Sequence, residues 1–115
     1  MIIKNTTHLR EGLNRYLLLG ASSFVGRHLF QKLGNRSAVG TYFSNTQRHM
    51  RYFDSITMSI EEIVKPAERF THAVILLGDS QPDSCHADIR LSEKLNVFSI
   101  KKVIDDLIAQ NIVPI

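Results

Sequence analysis

The sequence lacks the features that mark several classes of protein. Its 115 residues include one cysteine, Cys85, which excludes an internal disulfide and a cysteine-based zinc site. No apolar run approaches the roughly 20 residues that a membrane-spanning helix needs. The polar start, MIIKNTTHLREGLNR, has no apolar core of a secretory signal. We therefore expect a soluble cytoplasmic protein with no membrane partner.

The charged residues and histidines are not clustered in the way that nucleic-acid binding or metal binding requires. The net charge is +3, but the lysines and arginines are scattered, which argues against a nucleic-acid partner. The histidines have no ligand-pair spacing and stand at positions 8, 28, 49, 72 and 86. A metal site is therefore not expected. Cys85 and His86 are adjacent but have no third partner, which disfavours nucleophilic catalysis.

Short apolar runs alternate along the chain with amphipathic stretches. Strands are predicted at residues 16–19, 38–43, 50–53, 72–77 and 112–115, and helices at residues 23–33, 59–64 and 88–110. This alternation is typical of a parallel sheet with helices on its faces. We predict an α/β domain, a Rossmann-type doubly wound parallel sheet of strand order 3-2-1-4-5 that is incomplete at its C-terminus. It occupies residues 16–115, after a polar extension at residues 1–15.

Apolar spacing also predicts which helix faces are buried. In the first helix the expected apolar face consists of Val25, Leu29 and Leu33, and Gly34 is expected to end the helix. In the long helix the expected stripe is Leu91, Leu95, Phe98, Val103, Leu107 and Ile108. Before the short helix, Ser59 and Glu62 have the spacing of a capping box.

The stretch LGASSFVG, residues 19–26, follows a predicted strand and opens a predicted helix. Gly20 would permit the tight turn off the strand, and Gly26 would let the helix pack closely on the sheet. The backbone N–H groups of Ser23, Phe24 and Val25, at the start of the helix, would then bind a pyrophosphate. The hydroxyls of Ser22 and Ser23 could add further donors. The middle glycine of the usual fingerprint is replaced by Ser23, and an ordinary strand-to-helix turn remains the alternative.

The stretch RYLLLGASSFVGRHLFQKL resembles the opening of extended short-chain dehydrogenases/reductases. It is most similar to the dTDP-4-dehydrorhamnose reductase-like group, and VGTYFSN, YFDSIT, HAVILLGDSQPDSC and LSEKLNV follow in that family's order over residues 15–115. The resemblance implies the NADP-binding N-terminal part of a nucleotide-sugar reductase or epimerase. It implies a nucleotide-linked sugar as the substrate of the full-length protein, and it is compatible with a homodimer.

The ends of the second and third strands bear on the choice of cofactor. Enzymes that prefer NAD usually carry an acidic residue after the second strand, but this chain has Tyr42 and Asn45 there, with Arg48 beyond. Hydroxyl, amide and guanidinium groups suit a 2′-phosphate, so NADPH is expected in preference to NADH. A solvated loop is the alternative. The resemblance places Asp54 and Ser55 at the adenine amino group, although such an aspartate equally forms turns.

The resemblance assigns two further places to the ligand. Leu76, Leu77 and Gly78 would pass beneath the adenosine and ribose, where the family usually has smaller residues. Asn96 matches a helical asparagine that supports a proton relay beside the active site, and the alternative is a mid-helix asparagine bonded to the backbone. Cys85 lies in the loop above the expected crevice.

The Tyr-x-x-x-Lys pair that performs the family's chemistry is missing from this chain. In the family the tyrosine donates a proton during hydride transfer and the lysine lowers the tyrosine's pKa. The sequence therefore assigns no catalytic residue, and enzymatic activity stays undecided. One reading is a fragment of an enzyme. The second is a non-catalytic dinucleotide-binding regulatory subunit of the same fold, and the third is a basic RNA-binding module, which steeply salt-dependent binding would reveal.

Overall fold

The computed structural model describes residues 14–77 and 89–115. In chain order its elements are β1 (Tyr16–Leu19), α1 (Phe24–Leu33), β2 (Ala38–Tyr42), β3 (Arg51–Tyr52), a 3-10 helix (Ile60–Glu62), β4 (His72–Ile75), α2 (Ile89–Ala109) and β5 (Val113–Pro114). Every predicted strand and helix is present, at the predicted place. Several elements are shorter than predicted, by at most two residues at one end, and the predicted short helix is a single 3-10 turn.

The five strands form one parallel sheet in the order β3-β2-β1-β4-β5. The predicted strand order 3-2-1-4-5 and the α/β class are therefore confirmed. The central strand is β1, in which Leu17 pairs with Val39 of β2 on one side and with Ala73 of β4 on the other. Such a strand is buried on both faces, which explains its uninterrupted apolar sequence.

The two helices pack on opposite faces of the sheet. Leu17 and Leu19 of β1 belong to one buried cluster, together with Val103 and Leu107 of α2. Leu18 points to the other face, where Leu29 and its neighbours on α1 pack against it. Alternate residues of one strand therefore contribute to two separate hydrophobic layers.

The predicted helix faces are correct only in part. Val25 is 62% exposed, because it lies in the first turn of α1, beyond the edge of the sheet, whereas Leu29 and Leu33 do pack on it. In α2, Phe98 and Ile108 are 60% and 59% exposed, and Ser99 takes the buried place one residue away. Ser99, Val103 and Leu107 recur every four residues, which is the actual buried face. The side chains of Leu91 and Leu95 lie outside the described residues.

Arg15, the last residue of the predicted extension, is bonded to the segment that precedes β4. Its guanidinium lies 5.5 Å from the ring centroid of Phe70, and its backbone carbonyl accepts the N–H groups of Thr71 and His72. The rest of the predicted extension, except Asn14, lies outside the described residues.

An ion pair fastens the edge strand β3 to the segment that precedes β4. Arg51 binds the Glu68 carboxylate with two guanidinium nitrogens, at 2.7 and 2.5 Å, and also donates to the carbonyl of Ile63 at 2.6 Å. The Glu68 side chain is only 17% exposed. The hydrogen bonds from Arg51 and from the Lys65 N–H lower the pKa of Glu68 from 4.5 to about 2. The same pairing raises the pKa of Arg51.

This pair predicts a loss of stability in acid. The pKa of Glu68 is lower in the folded protein, so its stabilisation is complete above pH 4.5 and disappears as the pH falls toward 2. We expect Glu68→Gln to lower the free energy of unfolding at pH 7 by roughly 2 kcal/mol. Its free energy of unfolding should also fall less than that of the wild type as the pH drops from 4.5 to about 2. Urea unfolding at several pH values measures this. Glu61→Gln, at an exposed position, is the control. If wild type and Glu68→Gln lose the same free energy of unfolding in acid, Glu68 is not the cause of the acid dependence.

Candidate functional site

The chain leaves the sheet in opposite directions from two adjacent strands. From β1 it passes through α1 to β2 on one side, and from β4 it passes through α2 to β5 on the other. The carboxyl ends of β1 and β4 therefore border the point where the strand order reverses, which is where open α/β sheets bind ligands. Gly20 follows β1 there, and the Leu76 N–H donates to the Leu19 carbonyl at 2.8 Å.

The turn after β1 is anchored by a buried threonine of the neighbouring strand. Gly20 has φ +89°, and its N–H donates to Thr41 Oγ1 at 3.0 Å. The next N–H, of Ala21, donates to the Thr41 carbonyl at 2.8 Å. Because Thr41 is only 1% exposed, the turn leaves the strand along a path set by β2.

Ser23, which the sequence predicts to be the first residue of the helix and a phosphate donor, is the N-cap of α1. Its backbone is extended (φ −70°, ψ 167°), and its Oγ accepts the Gly26 N–H at 3.1 Å. The hydroxyl also donates to the Gly20 carbonyl at 3.2 Å. The hydroxyl of Ser23 is thus engaged in closing the turn, so the expected donor to a phosphate is its neighbour Ser22, which is half-buried.

Two N–H groups stay open at the start of α1. Within residues 14–77 and 89–115 no acceptor binds the N–H of Phe24 or of Val25. Their side chains are 79% and 62% exposed, so solvent reaches this end of the helix. The first turn of α1 also carries no acidic residue. The positive end of the helix dipole is therefore not neutralised by an acidic side chain of its own first turn.

The two glycines of the turn are required by contacts within the protein. A Cβ at Gly20 would lie 2.8 Å from the Leu76 carbonyl oxygen, and one at Gly26 would lie 2.5 Å from Ala21 Cα. The predicted close packing at Gly26 is therefore present. Glycine is required at position 20 for two reasons. The turn needs a positive φ, and the absence of a side chain lets the end of β1 lie close to the end of β4.

Three aromatic rings cluster at the ends of β2 and β3, a feature that the sequence analysis missed. Tyr42 meets Tyr52 edge-on, with ring centroids 5.8 Å apart, and Phe43 stacks on Tyr52 at 6.0 Å. Phe43 and Tyr52 are 57% and 47% exposed. Tyr42 and Tyr52 are register partners of neighbouring strands, so only the pairing of β2 with β3 reveals the cluster.

The remaining predicted residues of this loop face solvent. Asn45 and Arg48 are exposed, and within the part of the chain that the structure describes neither side chain has a hydrogen-bond partner. The following residue, His49, has φ 65°, a left-handed conformation that is uncommon outside glycine. The loop after β2 thus carries the exposed guanidinium of Arg48, five residues after Phe43.

Asp54 forms a turn after β3. Its Oδ1 accepts the Ile56 N–H at 3.0 Å, and its carbonyl accepts the Met58 N–H at 2.9 Å. The turn-forming alternative is therefore seen. Asp54 and Ser55 are both half-buried, at the carboxyl end of β3.

The other predicted site residues lie at the end of β4, on α2 or outside the described residues. Leu76 and Leu77 are half-buried, and Leu77 packs on the cluster beneath α2, so its role is in the core. Asn96 is half-buried on α2, and its carbonyl accepts the Ser99 hydroxyl at 3.1 Å. Gly78 and Cys85 lie outside the described residues.

A groove of about 810 Å³ lies at the opposite, amino-terminal edge of the sheet. Phe70 and Ile112, which line it, stand just before β4 and β5. Its charged lining mixes both signs, namely Glu61, Glu62, Lys65, Glu68 and Arg69. The groove and the glycine turn are therefore separate features, and the mixed charge gives no preference for an anion.

Within residues 14–77 and 89–115, no cluster of three or more ligand side chains is present that is suited to a metal ion. No helix described by the structure is long and apolar enough to cross a membrane. Comparison with known proteins gives no significant match to a family model, a curated protein or a solved structure. The resemblance to short-chain dehydrogenases/reductases therefore stays a prediction.

Two glycines of similar conformation allow the close contact at Gly20 to be measured. Gly20 and Gly34 have φ +89° and +80°, but an added Cβ meets Leu76 only at Gly20 and meets nothing within 4 Å at Gly34. We expect Gly34→Ala to cost about 1 kcal/mol of unfolding free energy, from strain alone. Gly20→Ala should cost about 2 kcal/mol more, because the carbonyl must move. Equal losses in urea unfolding would show that the contact with Leu76 contributes nothing.

Proposed function

We propose that this chain binds a dinucleotide, NADP in preference to NAD, at the carboxyl edge of its sheet. The observation that carries the proposal is the pair of open N–H groups of Phe24 and Val25. They stand at a helix N-terminus beside the point where the strand order reverses. Backbone N–H groups in this position bind phosphate groups in many α/β proteins. On this proposal the domain is a Rossmann-type doubly wound sheet.

The local charge supports an anionic ligand. The first turn of α1 has no acidic side chain, so a diphosphate there would meet the helix dipole without competition. Each charge-assisted hydrogen bond to a backbone N–H contributes about 1.5–3 kcal/mol. Two such bonds contribute roughly 3–6 kcal/mol, which is less than the roughly 8 kcal/mol of a micromolar complex. The hydroxyl of Ser22 and the base and ribose contacts of a dinucleotide would supply the rest.

The loop after β2 supports the choice of NADP. It offers the exposed guanidinium of Arg48 and the amide of Asn45, and it contains no carboxylate that would repel a 2′-phosphate. Arg48 as the 2′-phosphate ligand follows the expectation from the sequence. The exposed rings of Phe43 and Tyr52 stand at the same edge, where a purine base has an aromatic surface to contact.

The reaction class rests on the resemblance. We propose that the chain is the NADP-binding portion of a nucleotide-sugar reductase or epimerase. The alternative is a non-catalytic dinucleotide-binding subunit of the same fold. This chain carries no Tyr-x-x-x-Lys pair under either hypothesis, so the coding sequence beyond residue 115 separates the two: a Tyr-x-x-x-Lys pair there would favour the enzyme, and its absence would favour the subunit.

Cofactor preference is tested by thermal unfolding. We expect NADPH to raise the Tm of the protein more than NADH does at equal concentration, because only NADPH offers a phosphate to Arg48. Arg48→Ala should remove the difference and leave the shift by NADH. Equal shifts for both cofactors in the wild type would contradict the NADP preference, and no shift for either would contradict dinucleotide binding.

The open N–H groups are tested by a backbone substitution that leaves the helix intact. Phe24→Pro removes the N–H at the first helical position, where proline is tolerated. The extended backbone of Ser23 already suits the residue before a proline. We expect Phe24→Pro to weaken pyrophosphate binding about tenfold, the value of one charge-assisted hydrogen bond.

Phe24→Ala is the matched control, because it removes the same side chain and keeps the N–H. Calorimetric titration with pyrophosphate measures both variants, and circular dichroism verifies their helix content. If Phe24→Pro and Phe24→Ala bind pyrophosphate equally, the N–H of Phe24 is not a ligand and the proposed cradle is wrong.

A further inference from the structure

Two side chains of α2 hold the loop that follows β3. The ammonium of Lys102 donates to the carbonyl of Ser55 at 3.3 Å and to that of Met58 at 2.5 Å. One helical turn later, Asp106 Oδ2 accepts the N–H of Ile60 at 2.6 Å. These contacts join residues more than 40 positions apart in the sequence, so they exist only because α2 packs on this face of the sheet.

The ammonium of Lys102 controls the shape of the turn at residues 54–58. The carbonyls of Ser55 and Met58 both accept from this one nitrogen, and the charge of the ammonium strengthens both hydrogen bonds. Inside the turn, Asp54 supplies the remaining bonds, through Oδ1 and its carbonyl. Without the ammonium, the two carbonyls would separate and Asp54 would shift with them.

We propose that Lys102 is a positioning residue for the base end of the dinucleotide. It would act by holding Asp54 and Ser55 where the adenine is expected, and this inference rests on the proposed function. The diphosphate end is held independently, because Thr41 and Ser23 anchor the turn after β1 and neither contacts Lys102. Lys102 therefore sets the affinity for the base-bearing ligand and leaves the affinity for a bare diphosphate unchanged.

The experiment compares two ligands on the full chain. We expect Lys102→Met, which keeps the length of the apolar stem, to weaken NADPH binding about tenfold, the value of one charge-assisted contact, and to change pyrophosphate binding less than twofold. The control is Lys101→Met. Its lysine side chain is 75% exposed and, among the residues that the structure describes, pairs with Asp105 alone, so neither affinity should change. If the affinities for NADPH and pyrophosphate fall equally, Lys102 is a general stabiliser and not a positioning residue for the base. Unchanged NADPH binding would also overturn the proposal.

A measurement without ligand keeps this test separate from that of the proposed function. Hydrogen exchange of the Ile56 and Met58 amides should quicken at least tenfold in Lys102→Met and not in Lys101→Met, because opening the turn exposes both N–H groups. Failure of the wild type to bind NADPH overturns the proposed function. Unchanged exchange in Lys102→Met overturns the control of the turn by Lys102, whatever the ligand result.

Discussion

The turn after β1 packs closely against both neighbouring strands, and these contacts fix the path by which the chain leaves the sheet. On one side the buried Thr41 of β2 accepts the N–H of Gly20 through its hydroxyl and that of Ala21 through its carbonyl. On the other side a side chain at Gly20 would collide with the carbonyl of Leu76. With both sides occupied, the chain has one path off the strand, and that path starts α1 with Phe24 and its open N–H group directed out of the sheet. The contact thus links the packing of three strands to the chemistry of one helix end.

The two edges of the sheet carry different kinds of side chain. At the amino-terminal edge Arg51 and Glu68 satisfy each other, and the groove nearby mixes positive and negative charge. At the carboxyl edge the exposed groups are aromatic rings, such as Phe43 and Tyr52, and the open N–H of Val25. Exposed apolar surface beside unpaired donors is typical of a binding site, whereas paired charges are typical of a solvated structural surface. This asymmetry supports the proposed position of the ligand at the carboxyl edge.

The long helix α2 connects the core with that edge. Val103 and Leu107 are buried against β1, and Lys102, one residue away, reaches the loop after β3. The same helix therefore contributes to stability through its apolar face and to the shape of a loop through a charged one. In the sequence Lys102 cannot be distinguished from a surface lysine. It has defined hydrogen-bond partners only because the buried face of α2 fixes the helix on the sheet.

The spacing of apolar and polar residues determined the elements, because the periods of helices and strands are local, and the alternation of those elements indicated a parallel sheet with helices on its faces. It misjudged which residues of the helices are buried, as at Val25 and Phe98, since the same spacing fits two neighbouring faces and only contact with the sheet selects one. The sequence could not predict the contact of Tyr42 with Tyr52 or the hydrogen bonds of Lys102 to the loop after β3. Both join segments that only strand register and helix packing bring together. Local interactions decided what the elements are, and tertiary packing decided which groups they leave open.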